Sequence, residues 1–519
     1  MANKIEDLKA SKDGLALKAE IDRFAQIGWE AIEDDDLQHR LKWLGIFFRK
    51  STPGRFMVRM RIPNGLLSSD QMRVLASVVE KCGEHGVADI TTRQNIQMRG
   101  ICIEDVPEMF AKFRAVGLTS VQSAMDNIRN ITGSPVAGID ADELYDTREL
   151  AIQVQNLLTN NGEGNSAFTN LPRKFNIAIA GCRDNSTHAE INDLAFVPAF
   201  KDEAKEIFGF NVIVGGFFSA KRVEAAIPLN VWVAPEDVVA LCEAVLIVFR
   251  DNGLRESRQK SRLMYLIDEW GMEKFRAEVE KQMGKTLETA ALKDEIEWEK
   301  RDHIGVHKQK QSGLSYVGLQ IPVGRMYAPD MYEFARLADT YGNGDMRLTV
   351  EQNLLITHVS DEKLPALLQE PLLQKFPVSP DNLMRGLVSC TGNQFCPVAI
   401  VETKNRSLAL TKQLADDYYL PKVVRIHWSG CPNSCAQPQV ADIGFTGCKA
   451  RKNGKVVDGV DIYMGGTVGK DAHLGKCVME KVPCEDLREV IGKLLVDHFG
   501  ATPKEQALSE SSAELVAVG

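Results

Sequence analysis

Four cysteines fall in two short runs, Cys390-Thr-Gly-Asn-Gln-Phe-Cys396-Pro397 and Gly430-Cys431-Pro-Asn-Ser-Cys435. Four thiolates are the ligand set of an iron–sulfur cluster, and a structural zinc ion accepts the same set. Zinc knuckles separate their cysteines by roughly two to four residues. The second pair, with three intervening residues, fits that range; the first, with five, does not. The spacing also departs from the bacterial ferredoxin run. Spacing thus favours a cluster and leaves zinc open. Gly430 permits close approach of a bound group to the backbone. Pro432 suits the first turn of a helix, which would put Cys431 at a helix N-terminus, where free N–H groups stabilise a thiolate.

The other seven cysteines, Cys82, Cys102, Cys182, Cys242, Cys448, Cys477 and Cys484, are scattered. An odd total of eleven in a long chain without a secretory leader is not a disulfide framework. Each of the seven is expected as a buried small hydrophobe or a surface thiol.

The elements that must position the paired cysteines occur twice. Arg61-Ile-Pro-Asn-Gly65 is echoed by Gln320-Ile-Pro-Val-Gly324, and Thr92-Arg-Gln-Asn95 by Val350-Glu-Gln-Asn353, at displacements of 259 and 258 positions. Between them, both copies carry a stretch of helical character, 69–83 and 329–342. Further on, Gly181-Cys182 echoes Gly430-Cys431, Asn192-Asp-Leu-Ala-Phe196 echoes Ala441-Asp-Ile-Gly-Phe445, and Gly209–Gly216 echoes Gly459–Gly466. Two copies at so long a period are not a solenoid. They describe an α+β protein, a duplicated two-part unit with pseudo-twofold symmetry, mixed sheets with helices, and a site at the interface of the domains. The expected divisions are a polar, helix-prone lead-in over 1–50, half-domains over 51–122 and 301–380, larger domains over 123–300 and 381–503, and a tail over 504–519. The charged segment Arg255–Asp302 reads as a helical connection between the halves.

Composition narrows the function. Of 519 residues, 44% are hydrophobic and 26% charged, as in an ordinary globular protein. A net charge of −9 argues against a general nucleic-acid binder. At 7% aromatic residues, no platform for stacking bases stands out. The opening MANKIEDLKASKDG lacks an apolar run and is neither a secretory signal nor a transit peptide. The most apolar stretch, Val238–Phe249, is too short to span a bilayer and contains Glu243. A cytoplasmic protein is expected, or a stromal one if this is a mature chloroplast form.

The two cysteine runs together resemble the siroheme and iron–sulfur nitrite/sulfite reductase family, and the likeness extends from about Arg55 to Asp497. Within the family the chain is most similar to the ferredoxin-dependent nitrite reductases of cyanobacteria and chloroplasts. The resemblance implies siroheme and a 4Fe–4S cluster, with Cys390, Cys396, Cys431 and Cys435 as cluster ligands. It further implies that Cys435 joins the cluster to the siroheme iron. It assigns Arg59, Arg129, Lys174 and Asn176 to the substrate, and Arg93 to the siroheme carboxylates, with Gln94, Asn95, Asn130, Thr391 and Asn393 as further contacts. Lys174 and Asn176 alternate in a strand-like run and so share a face. In the second copy Glu351 stands where the first has Arg93.

Sulfite reductases of the family resemble Pro-Arg-Lys-Phe-Lys where this chain has Pro172-Arg-Lys-Phe-Asn176. One positive charge fewer suits the monoanion nitrite better than dianionic sulfite. The implied reaction is six-electron reduction of nitrite to ammonium. The chain carries no Gly-x-Gly-x-x-Gly fingerprint and no second cysteine set, so electrons are expected from a separate protein, reduced ferredoxin or else flavodoxin. An acidic donor calls for a basic docking face; the candidates are Arg255/Arg258/Lys260/Arg262 and Lys449/Arg451/Lys452/Lys455. A monomer is expected. The alternatives are a sulfite reductase with the same cofactors, a related enzyme of corrinoid synthesis, and a zinc-stabilised binding protein without catalysis.

Overall fold

The repeated Pro-x-Gly turns explain themselves in the computed structural model, which describes residues 3–504. Gly65 and Gly324 have φ of 68° and 71°, where L-side chains are rarely found. A Cβ on Gly65 would stand 2.4 Å from the Leu348 carbonyl, and one on Gly324 would stand 2.6 Å from the Ile90 carbonyl. Each glycine therefore lets one copy of the unit touch the other.

Strand exchange completes that contact. The first half-domain sheet contains Ile46–Phe47, Phe56–Arg59, Ile96–Ile101 and Val87–Ile90, and its edge is Arg325–Met326 from the second copy. The second sheet contains Gly305–Lys308, Leu314–Leu319, Leu354–Ser360 and Asp345–Leu348, and its edge is Leu66–Ser68 from the first. The helices Ser69–Lys81 and Ala328–Tyr341 pack in one shared apolar core with both sheets. Ser68 and Gln71 form a capping box that starts the first helix. The first sheet begins at Ile46, inside the segment expected as a lead-in.

Two glutamines lock the exchange. Gln94 Nε2 donates to Leu348 O at 3.0 Å and to Gly133 O at 2.9 Å. Its counterpart Gln352 donates to Ile90 O at 2.9 Å and accepts from Ser389 N at 2.8 Å. Both residues have positive φ.

Each larger domain is a sheet that begins parallel and continues antiparallel. The first runs Thr132–Gly133, Ile177–Ile179, Leu194–Phe200, Phe208–Val214, Ile227–Val233 and Glu288–Thr289. The second runs Leu387–Ser389, Ile426–Ser429, Ile443–Lys452, Lys455–Met464 and Lys476–Pro483. Their registers make counterparts of Ser134 and Cys390, Cys182 and Cys431, Ser186 and Cys435, and His188 and Gln437. Each sheet has its own apolar core. The connection expected as helical has helices at Leu263–Trp270 and Met272–Met283, and is mostly irregular from Gly284 to Asp302. Among the described residues, no helix is long and apolar enough to cross a membrane. The tail expected over 504–519 lies outside the described residues from 505 onward.

Candidate functional site

The four cysteines come together. Cys390 follows the strand Leu387–Ser389, and Cys431 follows Ile426–Ser429, its parallel neighbour. All four line one cleft with about 870 Å³ of empty space, walled by Arg49, Arg59, Arg93, Arg99 and Lys404. Among the described residues, no three His, Cys, Asp or Glu side chains converge on the spacing of a single metal ion. Four cysteines around one common space are the ligand set of an iron–sulfur cluster. Cys390 Sγ accepts from Gly430 N at 3.1 Å and Gly392 N at 3.4 Å, while burial pushes its thiol up to about 12.

The helix expected after Cys431 is absent. Residues 431–437 form successive turns, with Ser434 and Gln437 at φ of 54° and 61°. Burial raises the Cys431 thiol rather than a helix N-terminus lowering it. The left-handed backbone at Ser434 and Gln437 interrupts any helix that would start at Pro432.

Cys435 also lines a second cavity, with Thr92, Arg93, Lys174, Asn176, Arg262 and Gln437 among its walls. Cys435, Thr92 and Arg93 are thus shared by both spaces. Thr92 Oγ1 donates to Cys435 O at 2.9 Å, tying the two copies together at this point. Lys174 and Asn176 face the same cavity, and Asn176 accepts from Arg93 Nε at 3.2 Å. Arg59 donates to Ser123 O at 3.5 Å and its guanidinium lies 4.8 Å from the Phe47 ring centre. Arg129 donates to the same carbonyl at 2.9 Å and, 9% exposed, lines neither cavity.

These cations lack counter-ions. Among the described residues, no carboxylate forms an ion pair with Arg59, Arg93, Arg129 or Lys174. Burial, reinforced by mutual repulsion, lowers Arg59 to about 9 and drives Arg129 and Lys174 well below their usual range. Arg59, Arg93 and Lys174 are half-buried and Arg129 is buried, and an uncompensated cluster of cations withdrawn from water is costly until an anion joins it. A macrocycle bearing many carboxylates beside a thiolate-bound cluster fits this set of donors. Such a group would be held by Arg93 and its neighbours, with Cys435 at the boundary of the two spaces.

Several expected contacts are corrected. Gln94 is fully buried and engaged by the half-domain exchange described above. Asn95 donates to Met60 O at 3.0 Å. Asn130 accepts from Ile62 N at 2.7 Å and donates to Ile62 O at 2.7 Å and Arg93 O at 2.8 Å. Their amides brace the loop that carries Arg93, and none of the three lines either cavity. Asn393 is exposed and outside the cleft; Thr391 lines it and accepts from Arg99 Nη2 at 3.1 Å.

Other residues were not legible as site residues. Arg61, 1% exposed, donates to Gln122 O, Ile128 O and Arg129 O, and so shapes the loop that bears Arg129. Burial lowers it to about 10. Arg49, Arg99 and Lys404 wall the cluster cleft. No local pattern distinguishes them from surface charges. The basic run at 255–262 is largely engaged internally: Arg255 pairs with Glu6, Arg258 with Asp126 and Arg262 with Asp193.

Comparison with known proteins follows this geometry. The model of the nitrite and sulphite reductase 4Fe–4S domain matches residues 124–287 and 381–504. The nitrite/sulfite reductase ferredoxin-like half domain matches residues 48–116 and 307–373. A ferredoxin–nitrite reductase of Leptolyngbya laminosa is 64% identical over 97% of this chain and 98% of its own length. The chloroplastic ferredoxin–nitrite reductase of Zea mays is 52% identical over 98% and 91%. The solved structure of the Mycobacterium tuberculosis NirA protein superposes with a TM-score of 0.87 at 30% identity, over 95% of this chain and 93% of that one.

Proposed function

The chain belongs to the nitrite and sulphite reductase family, and on that premise we propose that its paired cavities carry out ferredoxin-dependent reduction of nitrite to ammonium. The observation that carries the reading is the group of half-buried, unpaired cations, Arg59, Arg93 and Lys174, meeting the four cysteines across Cys435. Bound there, siroheme supplies the iron at which nitrite is reduced, and the 4Fe–4S cluster supplies electrons singly. Cys390, Cys396, Cys431 and Cys435 would hold the cluster, and Arg93 would meet siroheme carboxylate.

The chain's own part is electrostatic. Nitrite, six electrons and eight protons give ammonium and two waters. Arg59 and Lys174, with Arg129 adding its charge from outside the cavity walls, neutralise the incoming anion and stabilise negative charge on its oxygens as bonds to them break. Lys174 is poised for proton transfer, since burial and nearby arginines make its ammonium unusually acidic. Asn176 contributes a neutral amide and restrains Arg93 through their hydrogen bond.

The donor's docking face lies beside the cluster cleft. The loop with Cys396 reaches the surface: Val398 is 60% exposed, and Gln394 and Pro397 are exposed. A neighbouring groove is walled by Arg49, Arg55, Arg325, Tyr327 and Phe395, and exposed Lys50 adds to its positive charge. This face offers an acidic donor a positively charged approach that adjoins the cluster cleft through Arg49, Arg99 and Phe395. The earlier candidates serve less well, since 255–262 is tied up internally, and Lys449 and Lys452 pair with Asp458 and Asp486.

The test uses protein purified without oxygen. Iron, sulfide and absorption should report both cofactors, and nitrite should yield ammonium with reduced ferredoxin in preference to sulfite yielding sulfide. Lys50→Glu should weaken turnover with ferredoxin at low salt while sparing turnover with reduced methyl viologen. A colourless, zinc-containing protein would overturn the redox reading; equal losses with both donors would overturn only the docking face.

A further inference from the structure

The cofactor-bearing turn is held by a residue from the other copy of the unit. His188 and Gln437 are counterparts under the internal twofold, and they meet each other: His188 Nδ1 shares a hydrogen bond of 2.6 Å with the Gln437 side-chain amide. Both lie in the left-handed region, at φ of 51° and 61°. Non-glycine residues there cost about 1–2 kcal/mol each, so the surrounding contacts must hold both turns in shape.

The chain of contacts runs on in both directions. His188 Nε2 lies 3.3 Å from Glu351 Oε1, and Glu351 is ion-paired with Lys300; all three side chains are at least nine-tenths buried. Glu351 is the counterpart of Arg93. It lines, with Lys300 and His427, a cleft at the twofold-related position of the cofactor cavity. On the other side, Gln437 Nε2 donates to Thr92 O at 3.3 Å, and Thr92 Oγ1 donates to Cys435 O at 2.9 Å. The ring of His427 lies 3.2 Å from Gln437 O through Nδ1. Gln437 itself lines the cavity shared by Arg93, Lys174 and Asn176.

We propose that His188 and Glu351 are positioning residues for the Cys435 turn, acting through Gln437, so that the copy's degenerate site keeps the working site in register. Glu351 orients the imidazole, the imidazole fixes the Gln437 amide, and that amide fixes Thr92 and the Cys435 backbone. This inference rests on the nitrite-reductase reading. Nitrite turnover by the unaltered holoenzyme tests that reading, whereas cofactor content and the visible spectrum of variants test the positioning.

The experiment compares His188→Gly with His188→Asn in the holoenzyme. Glycine accepts the positive φ without strain and removes the ring. Asparagine also tolerates that backbone and carries an amide near the place of Nδ1. Loss of an outer-shell partner typically reduces metal affinity or activity by about 10–100-fold. His188→Gly should therefore shift the visible absorption of the bound chromophore and lower kcat with reduced methyl viologen about tenfold or more, with a smaller change in KM for nitrite. His188→Asn should restore most of the spectrum and of kcat. An unchanged spectrum and kcat in His188→Gly would overturn the proposal, as would a His188→Asn protein that melts normally but stays as impaired as His188→Gly. If His188→Gly yields no soluble protein, Glu351→Gln decides, because it removes the charge at nearly constant volume. It should shift the same absorption, and a wild-type spectrum and kcat would count against the proposal.

Discussion

The cofactor cavity and its twofold counterpart share a backbone plan but differ in how their charges are met. In the first, Arg93, Lys174 and Asn176 line the wall. The corresponding positions in the second are Glu351, Val423 and Arg425. There several cations are answered: Arg425 pairs with Asp442 at 3.0 Å, Arg301 with Asp184 at 3.1 Å, and Lys300 with Glu351. The cysteines diverge in the same sense. Cys390 and Cys435 correspond to Ser134 and Ser186, and Cys182, the counterpart of Cys431, donates to Ser134 Oγ at 3.1 Å. Duplication thus supplied two scaffolds, and the one whose Arg59, Arg93 and Lys174 have no carboxylate partner among the described residues can reward a polyanionic cofactor.

Moving residues from one copy to the other is the direct way to break this comparison. The largest effect is expected from Cys435→Ser, which imports the type found at Ser186. It removes the proposed cluster ligand at the boundary of both cavities. Iron, sulfide and siroheme should all fall, and nitrite turnover should drop on the order of a thousandfold or more, about 4 kcal/mol in the barrier. A protein that keeps both cofactors in full would dissolve the distinction between the copies.

Next comes Arg93→Glu, which imports Glu351 without importing Lys300. A carboxylate would replace the guanidinium bonded to Asn176 and face siroheme carboxylate. Breaking a buried charge pair costs roughly 3–5 kcal/mol, so siroheme content should fall steeply while the cluster's iron and sulfide are retained. Absorption and metal analysis read this directly. Loss of cluster and siroheme together would mean that Arg93 supports the whole interface rather than one cofactor.

Legibility in the sequence followed locality. The cysteine runs, the Pro-x-Gly turns and the helices at Ser69–Lys81 and Ala328–Tyr341 are short patterns with local causes, and they could be read directly. Exchange of Leu66–Ser68 and Arg325–Met326 between sheets could not, because strand periodicity carries no information about the partner. The Thr91–Asn95 and Asn130 motifs marked the right loops, but side-chain direction was hidden: Gln94, Asn95 and Asn130 brace backbone instead of lining the cavities. Basic residues were the least legible. Arg262 read as surface charge and is buried on Asp193, whereas Arg49 and Lys404 carried no signal and wall the cluster cleft. Whether an arginine serves a ligand or a carboxylate depends on contacts made far along the chain.

The smallest and sharpest change is Asn176→Lys, which gives the first cavity a cation where the second has Arg425. Arg425 is harmless because Asp442 neutralises it. The equivalent acid, Asp193, is already engaged, accepting from Asn176 N at 2.8 Å and pairing with Arg262 at 2.6 Å. A lysine at 176 would therefore stay uncompensated beside Arg93 and Lys174, and would also lose the oxygen that Arg93 now donates to. Coulomb attraction for one more charge at about 4 Å is roughly 4 kcal/mol at an effective dielectric of 20, but repulsion from the neighbouring cations offsets much of it. What survives should favour the dianion: the ratio of kcat/KM for sulfite to that for nitrite should rise about tenfold, ~1.4 kcal/mol. Raising the pH should shrink the gain, because a lysine crowded by cations has a lowered pKa and loses its proton as pH rises through it. A ratio that does not move at any pH would show that charge at this position is not what separates nitrite from sulfite.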